Sequence, residues 1–448
     1  MYSPTEDRRV RRRSAQYAAR IIDIVELSHP RAAPLRTSSP MTHRIASAIA
    51  GLVVGAGALA GCGGGGGSAP ASLLVALNVP ASTDAYTAQY IREGADLAIR
   101  ELDRAGGGAH PLRLREYDDA SDPQRAAANT RAAIAAGAVG VVEDGIGAAL
   151  SAADSRAAGI PEIVIANGDA ELTRGRPSLF RLGIANDAAA TVLSAYIQRK
   201  AASVAILHDD GEDGRDGARQ LGSALATAGV RLVADREVPA ALPTLDAEIR
   251  GLLDAHPAAV ALWASETVTA RALVALRAAG STLPVFSGPG GENPAVRRVA
   301  GTATEGLSFV ASRMTSESDS VSFGQFEHRL AAAEGGPLDA GIRDSRGREL
   351  RQPADGALFA YDAVRVLAAA VQRSGSARPG PGLLPAMTAV GITSANGDHR
   401  GFDPDNHEGV ADDDLYIAAI HDMAFAPVKD EPLSATLPVP DELLADFH

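Results

Sequence analysis

Cysteine is nearly absent. Cys62 is the sole cysteine of 448 residues, which excludes an intramolecular disulfide and any cysteine-rich metal site. An overall basic excess is missing too. Residues 1–62 hold nine Arg against Glu6, Asp7, Asp23 and Glu26, a local net of +5, while the whole chain carries −13, so the remainder carries −18. A body that acidic has no electrostatic footprint for nucleic acid and is repelled by anionic lipid, so membrane attachment needs some device other than a basic patch. Motifs of catalysis are also lacking: there is no G-x-S-x-G elbow, no H-E-x-x-H helix and no G-x-x-x-x-G-K-[ST] loop. "SGPGGEN" (287–293) has the look of a phosphate loop without its lysine and serine, and the glycines at 63–67 precede a strand where a dinucleotide fingerprint would follow one. "DPDNHEGVADDD" (403–414) clusters oxygen ligands without EF-hand spacing, and the ten histidines show no paired helical spacing. No enzyme, metal site or cofactor is expected.

What is present is the composition of a soluble globular protein, 46% hydrophobic and 22% charged, long enough for two or three domains. One apolar run stands apart, Ile45–Ala60 within "MTHRIASAIAGLVVGAGALAGC" (41–62). Arg44, the apolar core and the small residues after it have the shape of a signal peptide, and the run is short for a span of about 20 residues. The segment resembles a bacterial lipoprotein signal, in which Leu-Ala-Gly-Cys is the lipobox and the cysteine becomes the lipidated first residue. The expected organisation is an extra N-terminal extension at 1–40, with Met41 as the true start, a signal peptide at 41–61 and a glycine-rich tether at 62–71.

From Ser72 onward short apolar runs alternate with helical patterns. "SLLVALNVP" reads as a buried strand, and Ile91, Ala95, Ala98 and Leu102 mark one helix face. "LRLREYDDA" (112–120) is followed by "SDPQ", where Ser121 or Asp122 caps a helix and Pro123 suits its first position. "VGVVEDG" (139–145), "EIVIANG" (162–168) and "LFRLGI" (179–184) continue the strand series. A second series follows with "SVAILHDDG" (203–211), "VRLVADREV" (231–239), "AVALWAS" (259–265), "LPVFSGPG" (283–290) and "GLSFVAS" (306–312). Near-continuous apolar strands joined by helices predict parallel sheets covered on both faces, and two such series predict two α/β lobes. A long helix at 354–374 and the strand "LYIAAI" (415–420) must dock on those lobes. Residues 334–355 read as a charged surface insertion, and the tail at 425–448 as irregular.

The landmarks "EGADLAIRELDRAGG" (93–107), "REYDDASDPQRAAANTRAAI" (115–134), "VAILHDDGEDGRDG" (204–217), "ALVALRAAG" (272–280), "AGTATEGLSFV" (300–310) and "FAYDAVRVLAAAVQRSGS" (359–376) occur in that order. Together they resemble the leucine/isoleucine/valine-binding family, the type I periplasmic solute-binding proteins of ABC importers, over about 72–420. The resemblance implies two doubly wound parallel-sheet lobes joined by a three-crossing hinge, with lobe 1 at 72–185 plus 316–395 and lobe 2 at 186–315 plus 396–424. Crossings are expected near 183–188, 313–320 and 392–402. It also implies a monomer that captures a small-molecule solute, an amino acid or related amide or amine, and delivers it to an ABC permease. Location is then extracytoplasmic, with lipid on Cys62 as the membrane contact. The alternative is a ligand-sensing or regulatory lipoprotein of the same fold.

Loops at the carboxyl ends of the strands are the candidates for the solute site. Tyr86 and Thr87 fall where the family has an aromatic or polar contact. Gly145, Ile146 and Gly147 open a helix whose backbone amides could hold an anion, without the hydroxyl side chains usual for amino-acid binders. Asn167 and Gly168 can approach a ligand, and Asp169 either does so or caps the next turn. From the second series, Asp213, Ser265, Glu266 and Glu292 face the same cleft, and Trp263 either packs in the core or stacks on ligand. Asp144, Asp169, Asp213, Glu266 and Glu292 either make that cleft acidic, which predicts a ligand with at least one cationic nitrogen, with or without a standard amino-acid carboxylate, or merely reflect the −18 surface.

Overall fold

The computed structural model describes residues 72–106, 110–312, 321–334, 339–351, 355–376 and 378–427. Expectations for 1–71 and 428–448, including the signal peptide, Cys62 and the tether, lie outside the described residues, as does the crossing at 313–320.

The first lobe starts with β1 (Leu73–Val79), α1 (Ala85–Arg104), β2 (Leu112–Asp118), α2 (Pro123–Ala135), β3 (Ala138–Glu143), α3 (Ala148–Ala158), β4 (Glu162–Val164) and β5 (Leu179–Arg181). All seven residues of β1, LLVALNV, are buried, as a central parallel strand requires. Asp122 is the cap of α2, accepting hydrogen bonds from the amides of Gln124 and Arg125 at 2.8 and 3.2 Å, with Pro123 in the first turn. The five strands form one parallel sheet in the order β2-β1-β3-β4-β5.

The second lobe comprises α4 (Asn186–Lys200), β6 (Ser203–Asp209), α5 (Glu212–Thr227), β7 (Arg231–Val238), α6 (Asp246–Leu253), β8 (Ala259–Trp263), α7 (Glu266–Ala278), β9 (Val285–Ser287), α8 (Pro294–Ala300) and β10 (Ser308–Ser312). After it come α9 (Val321–Glu334), the hairpin β11 (Asp339–Arg343) and β12 (Glu349–Arg351), α10 (Asp355–Ser374), α11 (Leu383–Met387), the hairpin β13 (Gly391–Thr393) and β14 (His399–Gly401), then β15 (Leu415–His421) and β16 (Ala424–Pro427). The second sheet runs β16-β15-β10-β9-β8-β6-β7, parallel except for β15 and β16. The two parallel-sheet lobes and their eleven described helices form the α/β fold expected.

Helix α10 lies on α1 of the first lobe. Their backbones approach so closely at Gly94 that a Cβ there would sit 2.0 Å from the Ala357 carbonyl oxygen. Three details differ from the sequence reading. The β13–β14 hairpin is pinned to α10, with Ser394 Oγ 2.5 Å from Asp362 and Arg365 donating to the Thr393 carbonyl at 2.7 Å. Residues 396–401 therefore stay with the first lobe, and the return to the second sheet runs through 402–414 instead of the expected 392–402. Residues 425–427, expected as the start of an irregular tail, join Ala424 in the edge strand β16 because they find a partner in β15. Within 334–355 the expected surface insertion contains the β11–β12 hairpin, and Ser345 donates through its amide and hydroxyl to Asp422 of the second lobe, each at 2.8 Å.

Candidate functional site

In each sheet the strand order reverses at one strand, with the next two strands of the chain on its opposite sides, β1 between β2 and β3, and β6 between β7 and β8. That reversal opens a crevice beyond the carboxyl ends of the strands, where open α/β sheets bind ligands. The two crevices face one another across a cavity of about 480 Å³, within the range of small-molecule sites.

The first lobe supplies residues just past β1, β3 and β4. Tyr86, Thr87, Ile146, Asn167 and Gly168 line the cavity. Asp84 caps α1, accepting from the Thr87 amide at 3.2 Å and the Thr87 hydroxyl at 2.5 Å, so the hydroxyl of Thr87 is directed at Asp84. Tyr86 meets Tyr90 edge to face, centroids 5.2 Å apart. Of the other expected residues, Gly145, Gly147 and Asp169 do not line the cavity. Gly145 adopts φ +98° and abuts Val164, a turn that only glycine makes without strain. A Cβ on Gly147 would collide with α2. Asp169 accepts from the Glu171 amide at 3.0 Å, the turn-capping alternative.

The second lobe contributes Asp213, Ser265, Glu266 and Glu292, all on the wall. Asp213 accepts from Asn186 Nδ2 at 2.9 Å, and the Ala170 amide of the first lobe donates to Asp216 at 3.0 Å. Ser265 Oγ is buried with no hydrogen-bond partner among the described residues. Trp263 is a core residue, 2% exposed, with Gly217 and Gly288 making room for its indole.

Sequence reasoning did not single out Asp84, Tyr90, Asn186, Asp209, Glu212 or Phe359, which also line the cavity. Tyr90 is one helical turn from Tyr86, and Asp209 ends β6, so spacing and strand-end position were the available signals. Phe359 and Gly356 arrive on α10, some 270 residues after the first cavity loops, and no local pattern marks them. Gly356 is needed because a Cβ there would sit 2.0 Å from the Tyr90 ring.

The cavity is acidic in its lining, with the buried Arg297 behind it close enough to act on Tyr86 and Glu292. Its described lining contains Asp84, Asp144, Asp209, Glu212, Asp213, Glu266 and Glu292 but no Arg, Lys or His. Burial, then the Asp119 carboxylate, pushes Asp144 up to about 7 against hydrogen bonds from the backbone of Ile146 and Gly145. Burial, reinforced by Asp209 and Asp216, raises Asp213. Burial, with Asp84 and Asp209 adding repulsion, raises Glu266. Behind Asp144, Glu143 and Glu162 form a fully buried carboxyl pair on β3 and β4. Asn78 contacts Glu143 at 3.3 Å and Ser151 contacts Glu162 at 2.5 Å. Burial, then Glu162, holds Glu143 well above the usual carboxylate range.

The description "Periplasmic binding protein" matches residues 75–430, and the chain belongs to that family. Among solved structures, it is similar to a periplasmic binding protein type 1 from Bordetella pertussis Tohama I, with TM-score 0.71 and 19% identity over 80% of this chain and 98% of that one. It is also similar to the branched-chain amino acid transporter substrate-binding protein LivJ of Streptococcus pneumoniae in complex with isoleucine, with TM-score 0.68 and 19% identity over 80% and 99%. A third is a solute-binding protein of an ABC transporter from R. palustris in complex with benzoate, with TM-score 0.66 and 20% identity over 80% and 95%. No curated protein gave a significant match. The family and these neighbours are solute-binding proteins, not enzymes, and the fold is that of ABC transporter substrate-binding proteins. Membership implies an extracytoplasmic location. Among the described residues no helix is long and apolar enough to cross a membrane.

Proposed function

We propose that this chain is an extracytoplasmic solute-binding lipoprotein. It captures a small polar solute, an amino acid or related amide or amine, between its lobes and delivers it to an ABC permease. The observation that carries the reading is the cavity of about 480 Å³ walled by the strand ends of both lobes, in a chain of the periplasmic binding protein family. Tyr86, Thr87, Ile146, Asn167, Gly168, Asp213, Ser265, Glu266 and Glu292 are the proposed contacts, joined by Asp84, Tyr90, Asp144, Asp209 and Phe359. Relatives solved with isoleucine and with benzoate use the same fold for solutes of different charge, so the lining residues decide the solute. Closure about the three crossings would bury it. The protein works as a monomer, held at the membrane by lipid on Cys62, with the glycines at 63–67 giving reach.

The test is thermal shift of the mature protein against amino acids, amides, amines and aromatic acids, with small-angle scattering on each hit. A solute selective for the folded state raises the melting temperature, and closure lowers the radius of gyration. Stabilisation by no small molecule would contradict the reading.

A further inference from the structure

The solute class is written in two independent features of the cleft, and the inference rests on reading the cleft as a solute site. First, carboxylates reach it from both lobes: Asp84 and Asp144 from the first, Asp209, Asp213, Glu266 and Glu292 from the second, with no basic side chain among the described lining. Second, several of the backbone amides beside the cleft are already taken by the chain's own carboxylates and carbonyls. A helix start after a strand is the natural place for an anion. At the start of α3, however, the Ile146 amide donates to Asp144 Oδ1 at 3.1 Å and the Ala148 amide to the Gly145 carbonyl at 3.3 Å. Across the cleft, Asp209 takes the amides of Gly211 and Ser265 at 3.2 and 2.7 Å. Asp144 and Asp209 thus stand where a ligand carboxylate would need to be.

Part of the remaining wall is aromatic, made by the rings of Tyr86, Tyr90 and Phe359. Ser265 Oγ is buried at the cavity without a protein partner, a hydroxyl placed to accept from a donor. We propose that the solute is an organic ammonium cation without a carboxylate, its apolar body on the aromatic wall and its nitrogen between the acidic walls. Aromatic faces attract such cations as well as packing their carbon.

The proposal carries a proton signature. The titratable groups that face Asp144 are Asp119 after β2, Asp84 at the start of α1 and Tyr90 on α1, with Glu143 next to it in β3. None is basic, so a bound cation would be the group that favours the ionised form of Asp144. Binding should release protons, and affinity should rise as pH rises through about 7.

The experiment is isothermal titration of the mature protein at pH 6 and pH 8 with phenethylamine, putrescine and spermidine as cations, isoleucine as zwitterion and benzoate as anion. The expected result is one-to-one binding of at least one cation, several-fold tighter at pH 8, with isoleucine and benzoate at least about a hundredfold weaker. Asp144→Asn should weaken the cation about tenfold and flatten the pH dependence. The same variant should melt no lower than the parent at pH 8, which separates lost binding from lost folding. Tighter binding of isoleucine or benzoate overturns the cation proposal and leaves solute capture standing. Cation binding that ignores both pH and Asp144→Asn also overturns it. Binding of none of the five overturns both readings.

Discussion

Asp144 is held in the folded protein against its own preference for charge. Its folded pKa of about 7 lies above the unfolded value of about 4, so the folded state binds the extra proton. The stability of the protein without solute then falls as pH rises from about 4 to about 7, and is level beyond. Asp144→Asn removes that loss and still accepts the Ile146 amide. It should stabilise the protein at pH 8 by up to about 4 kcal/mol and by nothing at pH 4, read from urea unfolding at the two pH values. Equal effects at both would show that Asp144 is not the titrating group. Arg181 shows the opposite case, a charge that burial has paired. It is 1% exposed, donates from Nε to Glu408 at 2.6 Å, and from Nη1 to the carbonyls of Asn167 and Asp169 at 3.2 and 2.7 Å. One side chain therefore joins the third crossing to the cleft loop after β4. Arg181→Met should cost about 1–3 kcal/mol, because Glu408, partly exposed, keeps only the hydrogen bond from Thr173, and Glu408→Gln in the same chain should recover part of it. Additive losses in that double-mutant cycle would contradict the coupling.

At the scale of the element, the sequence was legible wherever burial wrote a period. The runs LLVALNV and AVALW are strands because both faces are covered, and the cap-and-proline start of α2 stands where its residues placed it. Legibility ended where tertiary partners decide. The short strand Gly391–Thr393 forms because α10 holds its hairpin, and Ala424–Pro427 because β15 offers an edge. The site followed the same rule. Loops adjoining predicted strands held most of the expected residues, whereas Phe359 and the α10 backbone came from a packing contact that no local motif records. Gly94 is the centre of that contact. Gly94→Ala drives a Cβ into the Ala357 carbonyl and should destabilise by about 1–3 kcal/mol or more. Gly356→Ala pushes instead on the Tyr90 ring at the cavity. It should alter solute affinity more than it alters the urea midpoint, and an unchanged affinity would place Tyr90 outside the binding surface.

The whole molecule builds its cleft from both lobes, and the proposed capture requires the crossings to let its width change. A hydrogen bond already spans the lobes beside the cavity, from the Ala170 amide to Asp216. Attachment is a separate matter, which we propose is carried by lipid on Cys62 ahead of the glycine run. In a bacterial host, Cys62→Ser in the full chain should move the protein from the membrane fraction to the soluble fraction, and an unchanged membrane fraction would contradict the lipid anchor. The cleft itself is tested most directly by a crystal structure with the tightest-binding solute of the panel. The account predicts a closed cleft, the cationic nitrogen within hydrogen-bond distance of carboxylates from both lobes, and carbon packed on Tyr86, Tyr90 and Phe359. A solute bound outside the cavity, or one whose carboxylate sits on the amides at 145–148 with Asp144 displaced, would contradict it.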